Sequence, residues 1–363
     1  MSTIILGLRQ FPRGRPVFSR DDPQERQGRV TLHDVAAASG VSKSTVSRIL
    51  DERLPRSESE TARKVRQVAA ELGYVRDDAA ASLRRGNTNT IGVIVPRLTD
   101  TVMAMLYEAL AHACTRSGRF AIVATTDDEP EADRGAAESL LKRGVDGLVL
   151  STAREGDDFP VRLEKRGIPY VLALRSDGHS MSSVGDDRLG GYLATRHLLD
   201  LGHRRIGIIA GPSYASSSRG RLAGYRWAMS EAGAEVDPDW IVESTFGIDS
   251  GADAAERLMG AAARPTAIFA MNDNTAIGAL SALVKLGLSV PEEVSLVGYN
   301  DIPIVSRLSV PLTSVRVPFD RIAAEALDLL SRGVSSANDR IRVAPPTLIP
   351  RASSAPCRSG EGL

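Results

Sequence analysis

The chain has 363 residues, 42 % of them hydrophobic and 25 % charged, with a formal net charge of zero. That length is enough for two or three domains, and the composition is that of a globular protein, not a fibrous or disordered one. It excludes a membrane span, since no apolar run approaches ~18 residues; an export signal is not expected, since MSTIILGL has no basic lead; and the two distant cysteines, Cys114 and Cys357, point to a reducing cytoplasm and no disulfide framework.

Charge is unevenly spread: residues 1–86 hold sixteen Lys and Arg against eleven Asp and Glu. A basic front on an acidic body fits a DNA-reading head on a larger ligand domain. Residues 1–28 carry four arginines before Asp21, several prolines and no apolar periodicity, the pattern of a disordered extension. TLHDVAAASGVSKSTVSRIL, residues 31–50, then reads as two short helices joined at Gly40. Thr31 and Asp34 have capping-box spacing, Gly40 supplies a left-handed stop, and Ser42 caps a second helix from Lys43. On that helix Val46, Ile49 and Leu50 face one way. Lys43, Ser44, Ser47 and Arg48 face the other, a small, cationic surface suited to a DNA major groove. A solvated helical hairpin is the plainer alternative. A third helix is expected over Glu58–Leu72, with Val35, Val46, Ile49, Val65, Val68 and Leu72 as the shared interior. Residues 76–90 read either as a flexible linker or as a hinge that folds on DNA, with Leu83 as an apolar wedge for a minor groove and Arg84 and Arg85 on phosphates.

From Ile91 the pattern changes to short β-rich runs alternating with helices. Strands are expected at Ile91–Val95, Phe120–Ala124, Gly147–Leu150 and Tyr170–Leu174. A second series follows at Ile206–Ala210, Ile241–Ser244, Ala267–Ala270 and Ser295–Tyr299. This is the signature of parallel βαβ units. Two such sets predict two doubly wound subdomains, with a ligand cleft at the carboxyl ends of the strands. Leu312–Val317 and a helix near 319–332 cross back between them. The tail from Ala352 has the composition of a disordered segment.

The ordered series of motifs from residue 30 to 350 resembles the lactose-repressor (LacI/GalR-type) transcription regulators. It comprises the helical pair above, ELGY at 71–74, IGVIVP at 91–96, LGHRRIGIIAGP at 201–212, RLAGY at 221–225, FAMND at 269–273, LGLSVPEEVSLVGYND at 287–301 and PLTSV at 311–315. The resemblance implies an all-α helix-turn-helix head (29–75), a hinge (76–90) and a periplasmic-binding-protein-like α/β core (91–350). One subdomain of that core would hold about 91–187 plus 317–333, the other about 188–316 plus 334–350, before a disordered tail at 351–363. It also implies a cytoplasmic, bacterial, nucleoid-associated homodimer that binds double-stranded operator DNA, most often as a repressor, under control of a small effector, usually a sugar or sugar phosphate and sometimes a purine. No cofactor, metal or membrane partner is implied. Lys43, Ser44 and Arg48 would read bases; Thr31, Ser42, Thr45 and Ser47 would contact the phosphates or backbone of the DNA; Leu32 would be a further DNA-binding residue, and Leu83 would be the wedge. Arg221, Asn272, Phe246, Asn300, Asp301 and Asp186 (in a register open between Asp186 and Asp187) would bind effector. Val102 and Met103 stand where the family commonly has an aromatic pair, and Arg76–Asp77 replaces the usual Pro-Asn before the hinge helix.

Two rivals share the core pattern. A doubly wound enzyme would be expected to carry a glycine-rich phosphate loop or a compact set of metal ligands, and neither is present in the sequence. A solute-binding protein would need an export signal and no helix-turn-helix.

Overall fold

The computed structural model describes residues 30–51, 55–75, 87–332 and 339–357. The expected extension at 1–28, the hinge wedge Leu83 and the last residues of the tail lie outside them. The chain divides into two compact units, residues 1–84 and 85–363.

The first unit holds α1 (Leu32–Ser39), α2 (Lys43–Ile49) and α3 (Glu60–Glu71). Helix α1 starts where the capping box places it. Asp34 N donates to Thr31 Oγ1 (3.4 Å) while Thr31 N donates to Asp34 Oδ2 (2.8 Å), so two donors without helical partners are satisfied reciprocally. Thr31 N and Thr31 Oγ1, both donating to Asp34 Oδ2, hold the Asp34 carboxyl below its ordinary pKa. Gly40 ends α1 at φ 74°, a conformation that a Cβ would strain. Ser42 then caps α2 by accepting from Thr45 N at 3.2 Å. The interior is Val35, Ala36, Val46, Val65 and Ala69, with Ile49 and Val68 packed against them. Leu72 is a correction to the expected core: it is the C-cap of α3, past the helical register, and is 39 % exposed.

The second unit is built on two six-stranded sheets. The first contains β1 (Thr90–Val95), β2 (Phe120–Thr125), β3 (Gly147–Leu150), β4 (Tyr170–Ala173), β5 (Ser182–Gly185) and β11 (Ile341–Ala344), in the order β11-β5-β4-β3-β1-β2. The second contains β6 (Ile206–Ala210), β7 (Ile241–Glu243), β8 (Ala267–Ala270), β9 (Ser295–Asn300), β10 (Thr313–Arg316) and β12 (Thr347–Ile349), in the order β12-β10-β9-β8-β6-β7. All pairings are parallel except β10 with β12. The same order in both halves is the doubly wound pattern expected from the alternating runs. Central strands such as Val93–Val95 and Ile206–Ile209 are buried on both faces, which is why they read as unbroken apolar runs.

Among the described residues eight helices cover the sheets: α4 (Thr101–Arg116), α5 (Pro130–Lys142), α6 (Phe159–Lys165), α7 (Asp187–Asp200), α8 (Ser216–Glu231), α9 (Ile248–Gly260), α10 (Asp273–Lys285) and α11 (Phe319–Arg332). Helix α11 follows a strand of the second sheet yet packs on α4 and β4 of the first half. Helices α7 and α8 approach more closely than ordinary side chains allow. A Cβ on Gly191 would sit 2.2 Å from Arg221 O, and one on Gly224 2.1 Å from Arg188 O.

Two expectations are corrected. Residues 334–350 do not all belong to the second half: β11 joins the first sheet, with Ile341 opposite Ser182 and Ala344 opposite Gly185. It pairs the edge that β5 would otherwise leave open. The tail is not disordered through Cys357. Ser353 O accepts from Leu296 N and Leu201 O accepts from Cys357 N, both at 2.7 Å, and the Ser353 side chain is buried.

Candidate functional site

A cavity of about 400 Å³ lies between the two halves of the core. Its walls come from the segments that follow the strands: Pro96 after β1, Asp127 and Asp128 after β2, Arg154 after β3, Leu174 and Arg175 after β4. From the other half come Tyr214 after β6, Thr245 and Phe246 after β7, Asn272 after β8 and Asn300 closing β9. These are the carboxyl ends of parallel strands, where loops are free to carry polar groups because the sheet holds their roots in place.

Of the residues expected to bind effector, Arg221, Phe246, Asn272 and Asn300 line the cavity; Asp186 and Asp301 do not. Arg221 is buried. Its Nε donates to Asp187 Oδ1 at 2.8 Å and its Nη1 to Met271 O at 2.6 Å, and the guanidinium lies 3.7 Å from the centroid of the Tyr299 ring. Burial alone would loosen the Arg221 proton; the Asp187 charge, joined by Tyr299 and by the hydrogen bond to Asp187, outweighs it and holds the pKa above its ordinary value. Asp186 instead accepts from Leu189 N at 2.9 Å and caps α7; Asp187, the other residue of the register left open in the sequence, pairs with Arg221 and does not line the cavity either. Asp301 turns away because Asn300 and Asp301 both adopt positive φ, 101° and 55°. Its carboxylate is held by Arg316 (2.7 Å) and Arg351 (2.6 Å). Asn272 caps α10 through Thr275 N (2.8 Å) and donates to Phe246 O (3.1 Å), which fixes Phe246 against the cavity. Val102 and Met103 also line it.

Sequence reading missed the polar centre of the cleft. Asp128 Oδ2 accepts from Tyr214 Oη at 2.8 Å across the two halves, and Arg175 donates to both Asp128 oxygens at 2.9 to 3.2 Å. Arg154 donates to Asp128 O and covers the Tyr214 ring at 4.0 Å. Burial, then the Asp128 charge, raises the Tyr214 pKa. Further bridges are Asn274 Nδ2 to Asp100 Oδ1 (3.0 Å) and Arg219 to Glu155 (2.7 Å). Burial pushes the Asp100 carboxyl up. Position just past a strand end was the available signal for Asp128, Arg154 and Arg175.

Beneath Asn272, Asp273 is fully buried and accepts from Ser314 Oγ (2.7 Å) and Ile302 N (2.8 Å). Burial pushes its pKa up from 3.8 to about 7. A carboxyl that holds its proton more tightly when folded loses stability as pH rises between those values. The stability advantage of wild type over D273N should therefore shrink from pH 4 to pH 7 and level off above it. Thermal melts of both across that range measure it, and parallel curves would refute the assignment.

In the first unit, Lys43, Ser44 and Arg48 are exposed on one side of α2, with Ser47 partly so. The Ser42 hydroxyl bonds to those of Ser44 and Thr45, each at 2.8 Å. Thr31 is exposed at the α1 cap, and Leu32 is half-buried against the head interior. No helix among the described residues is long and apolar enough to cross a membrane.

Residues 31–77 match the family model described as bacterial regulatory proteins, lacI family, and residues 195–354 match a periplasmic binding protein-like domain. The ribose operon repressor of Haemophilus influenzae is 33 % identical over 327 residues, covering 89 % of this chain and 98 % of that one. The transcriptional repressor PurR of Vibrio campbellii is 31 % identical, over 86 % and 94 %. Among solved structures, a lac repressor dimer bound to operator and the anti-inducer ONPF superposes with a TM-score of 0.80 at 27 % identity, over 90 % of this chain and 99 % of that one. A complex of the regulator CelR with cellobiose gives 0.67 at 29 %, over 90 % and 100 %. With two strand-crossed α/β halves, a cleft at their strand ends and a capped helix-turn-helix head, the chain belongs to the lacI family of bacterial regulatory proteins.

Proposed function

We propose that the chain is a repressor that reads operator DNA with α2 and changes its hold on that DNA when a sugar or sugar derivative fills the cleft. The observation that carries the reading is the exposed face of Lys43, Ser44 and Arg48 on a helix anchored by a capped hairpin. Short side chains admit the helix to a major groove, and Lys and Arg donate to guanine edges. Thr31, Ser42, Thr45 and Ser47 are assigned to the DNA backbone, which positions the head without choosing sequence. Leu32, half-buried against the head interior, supports them, and Leu83 keeps its role as a minor-groove wedge. The protein acts as a homodimer on a two-fold operator, in the cytoplasm, and does not turn its ligand over. Sugar as the ligand class is supported by the cellobiose held by CelR and by the donors and acceptors that Asn272, Asn300 and Thr245 bring to the cavity.

The ligand can act only through different affinities for two core states, since equal binding shifts no equilibrium. Gel-shift titrations test the head. Arg48→Ala should cost roughly 1–3 kcal/mol on operator and little on scrambled DNA, narrowing the ratio between them. An unchanged ratio removes Arg48 from the base readers.

A further inference from the structure

We propose that Asp128 is a built-in anion: its carboxylate fills the place where the cleft would grip a ligand's phosphate or carboxylate, so that the cleft takes an uncharged polyhydroxy ligand. The inference rests on the reading that the cleft holds the controlling ligand, and it narrows that ligand's chemistry.

Two guanidinium groups and a phenol converge on one point. Arg175 reaches both Asp128 oxygens, at 2.9 to 3.2 Å, and is itself 4 % exposed. Tyr214 Oη donates to Oδ2 at 2.8 Å, and Arg154 lies 3.9 Å from the same oxygen. Forked guanidinium donors with a hydroxyl beside them are the chemistry that binds phosphate and carboxylate groups. Here the chain supplies the carboxylate itself. It does so at a cost in backbone strain: Asp127 and Asp128 both lie in the left-handed region, at φ 53° and 65°. Such conformations persist where surroundings impose them, and they gather at ligand sites.

The remaining cleft charges leave nothing for an anion. Arg221 is committed to Asp187 and Met271 O. Arg97 sits at the rim, 3.7 Å from Asp127. Arg154 and Arg175 share the single Asp128 charge, and against the one positive charge this leaves over stand two further lining carboxylates, Asp100 and Glu129. In a site shielded from water, an incoming anion would be repelled with little screening. A neutral polyol meets paired donors and acceptors and the face of Phe246, and asks for no charge compensation.

The test is calorimetric titration of the full-length chain with inorganic phosphate and with ribose 5-phosphate, at constant ionic strength. Wild type should show no saturable binding that R175A abolishes. Asp128→Asn unmasks Arg154 and Arg175 and should bind either anion roughly ten- to a hundredfold more tightly than wild type, the range of a charge-assisted bond. Adding R175A to D128N should remove the gain. A folded D128N with no gain overturns the proposal, as does wild-type binding of either anion that R175A abolishes. The wild-type arm stands alone if D128N does not fold. The underlying reading fails on a different measurement, an operator midpoint that no sugar moves.

Discussion

Arg221→Ala should lower the stability of the core by about 3–5 kcal/mol, because it leaves the Asp187 carboxylate buried without its partner. Whole domains are stable by only about 5–15 kcal/mol, so this is among the most damaging single changes available. At ~3 °C per kcal/mol, the melting temperature falls by roughly 10 °C. The same change should abolish the response of operator binding to effector, since the Arg221 side chain also lines the cavity. Stability and binding separate in two further variants. Arg221→Lys keeps the charge and should regain part of the stability without the planar fork that grips paired oxygens. R221M combined with D187N removes both charges and should recover most of the melting temperature while leaving effector without effect. An R221A protein that melts within ~2 °C of wild type would mean the pair is far better solvated than its burial indicates.

The second large effect needs no contact with ligand. Gly224→Ala would normally stabilise a helix by about 1 kcal/mol. Here the added methyl would sit 2.1 Å from Arg188 O and 2.5 Å from Tyr192 N, both backbone atoms of α7. Neither can rotate aside, so the helices must separate. Overpacking costs typically 1–3 kcal/mol; the rigid neighbours place this substitution at or above the top of that range. Asp187 opens α7 and Arg221 lies one turn before Gly224 on α8, so separation also lengthens the 2.8 Å bond between them. G224A should therefore melt early and need more effector for half-maximal release or capture of operator. A neutral or raised melting temperature would show that the two helices slide past each other instead of parting.

Both predictions rest on a helix pair whose existence was legible in the sequence and whose separation was not. The alternation of strand runs with longer helical stretches located the helices, and strands buried on both faces announced themselves as unbroken runs. β5 escaped because its residues are Ser182, Ser183, Val184 and Gly185. Its serines are buried by hydrogen bonding, as where Ser183 Oγ donates to Ile322 O at 2.9 Å, and hydrophobicity does not see that. β11 is a half-exposed edge, with Val343 47 % exposed. The segment through Cys357 reads as disordered because it is polar, yet its backbone is paired to Leu296 and Leu201. In the cleft, Arg221, Phe246, Asn272 and Asn300 were reachable through the family resemblance. Asp128, Arg175 and Tyr214 were not, because their meaning is a meeting of three loops separated by up to 86 positions in the chain. Asp301 was misplaced because two successive positive-φ residues, Asn300 and Asp301, decide which of the two side chains faces the cavity.

The chain passes between the two sheets three times: after β5, after β10 and between β11 and β12. The second and third passages carry Pro318 and the pair Pro345–Pro346, whose rings fix φ. Neither half is a continuous stretch of sequence. A single crossover cannot exchange one sheet and leave the other whole and in place, since every cut between strands divides at least one of them. New ligand preferences in this architecture have to be reached by substitution within the strand-end loops, while the two halves are inherited together.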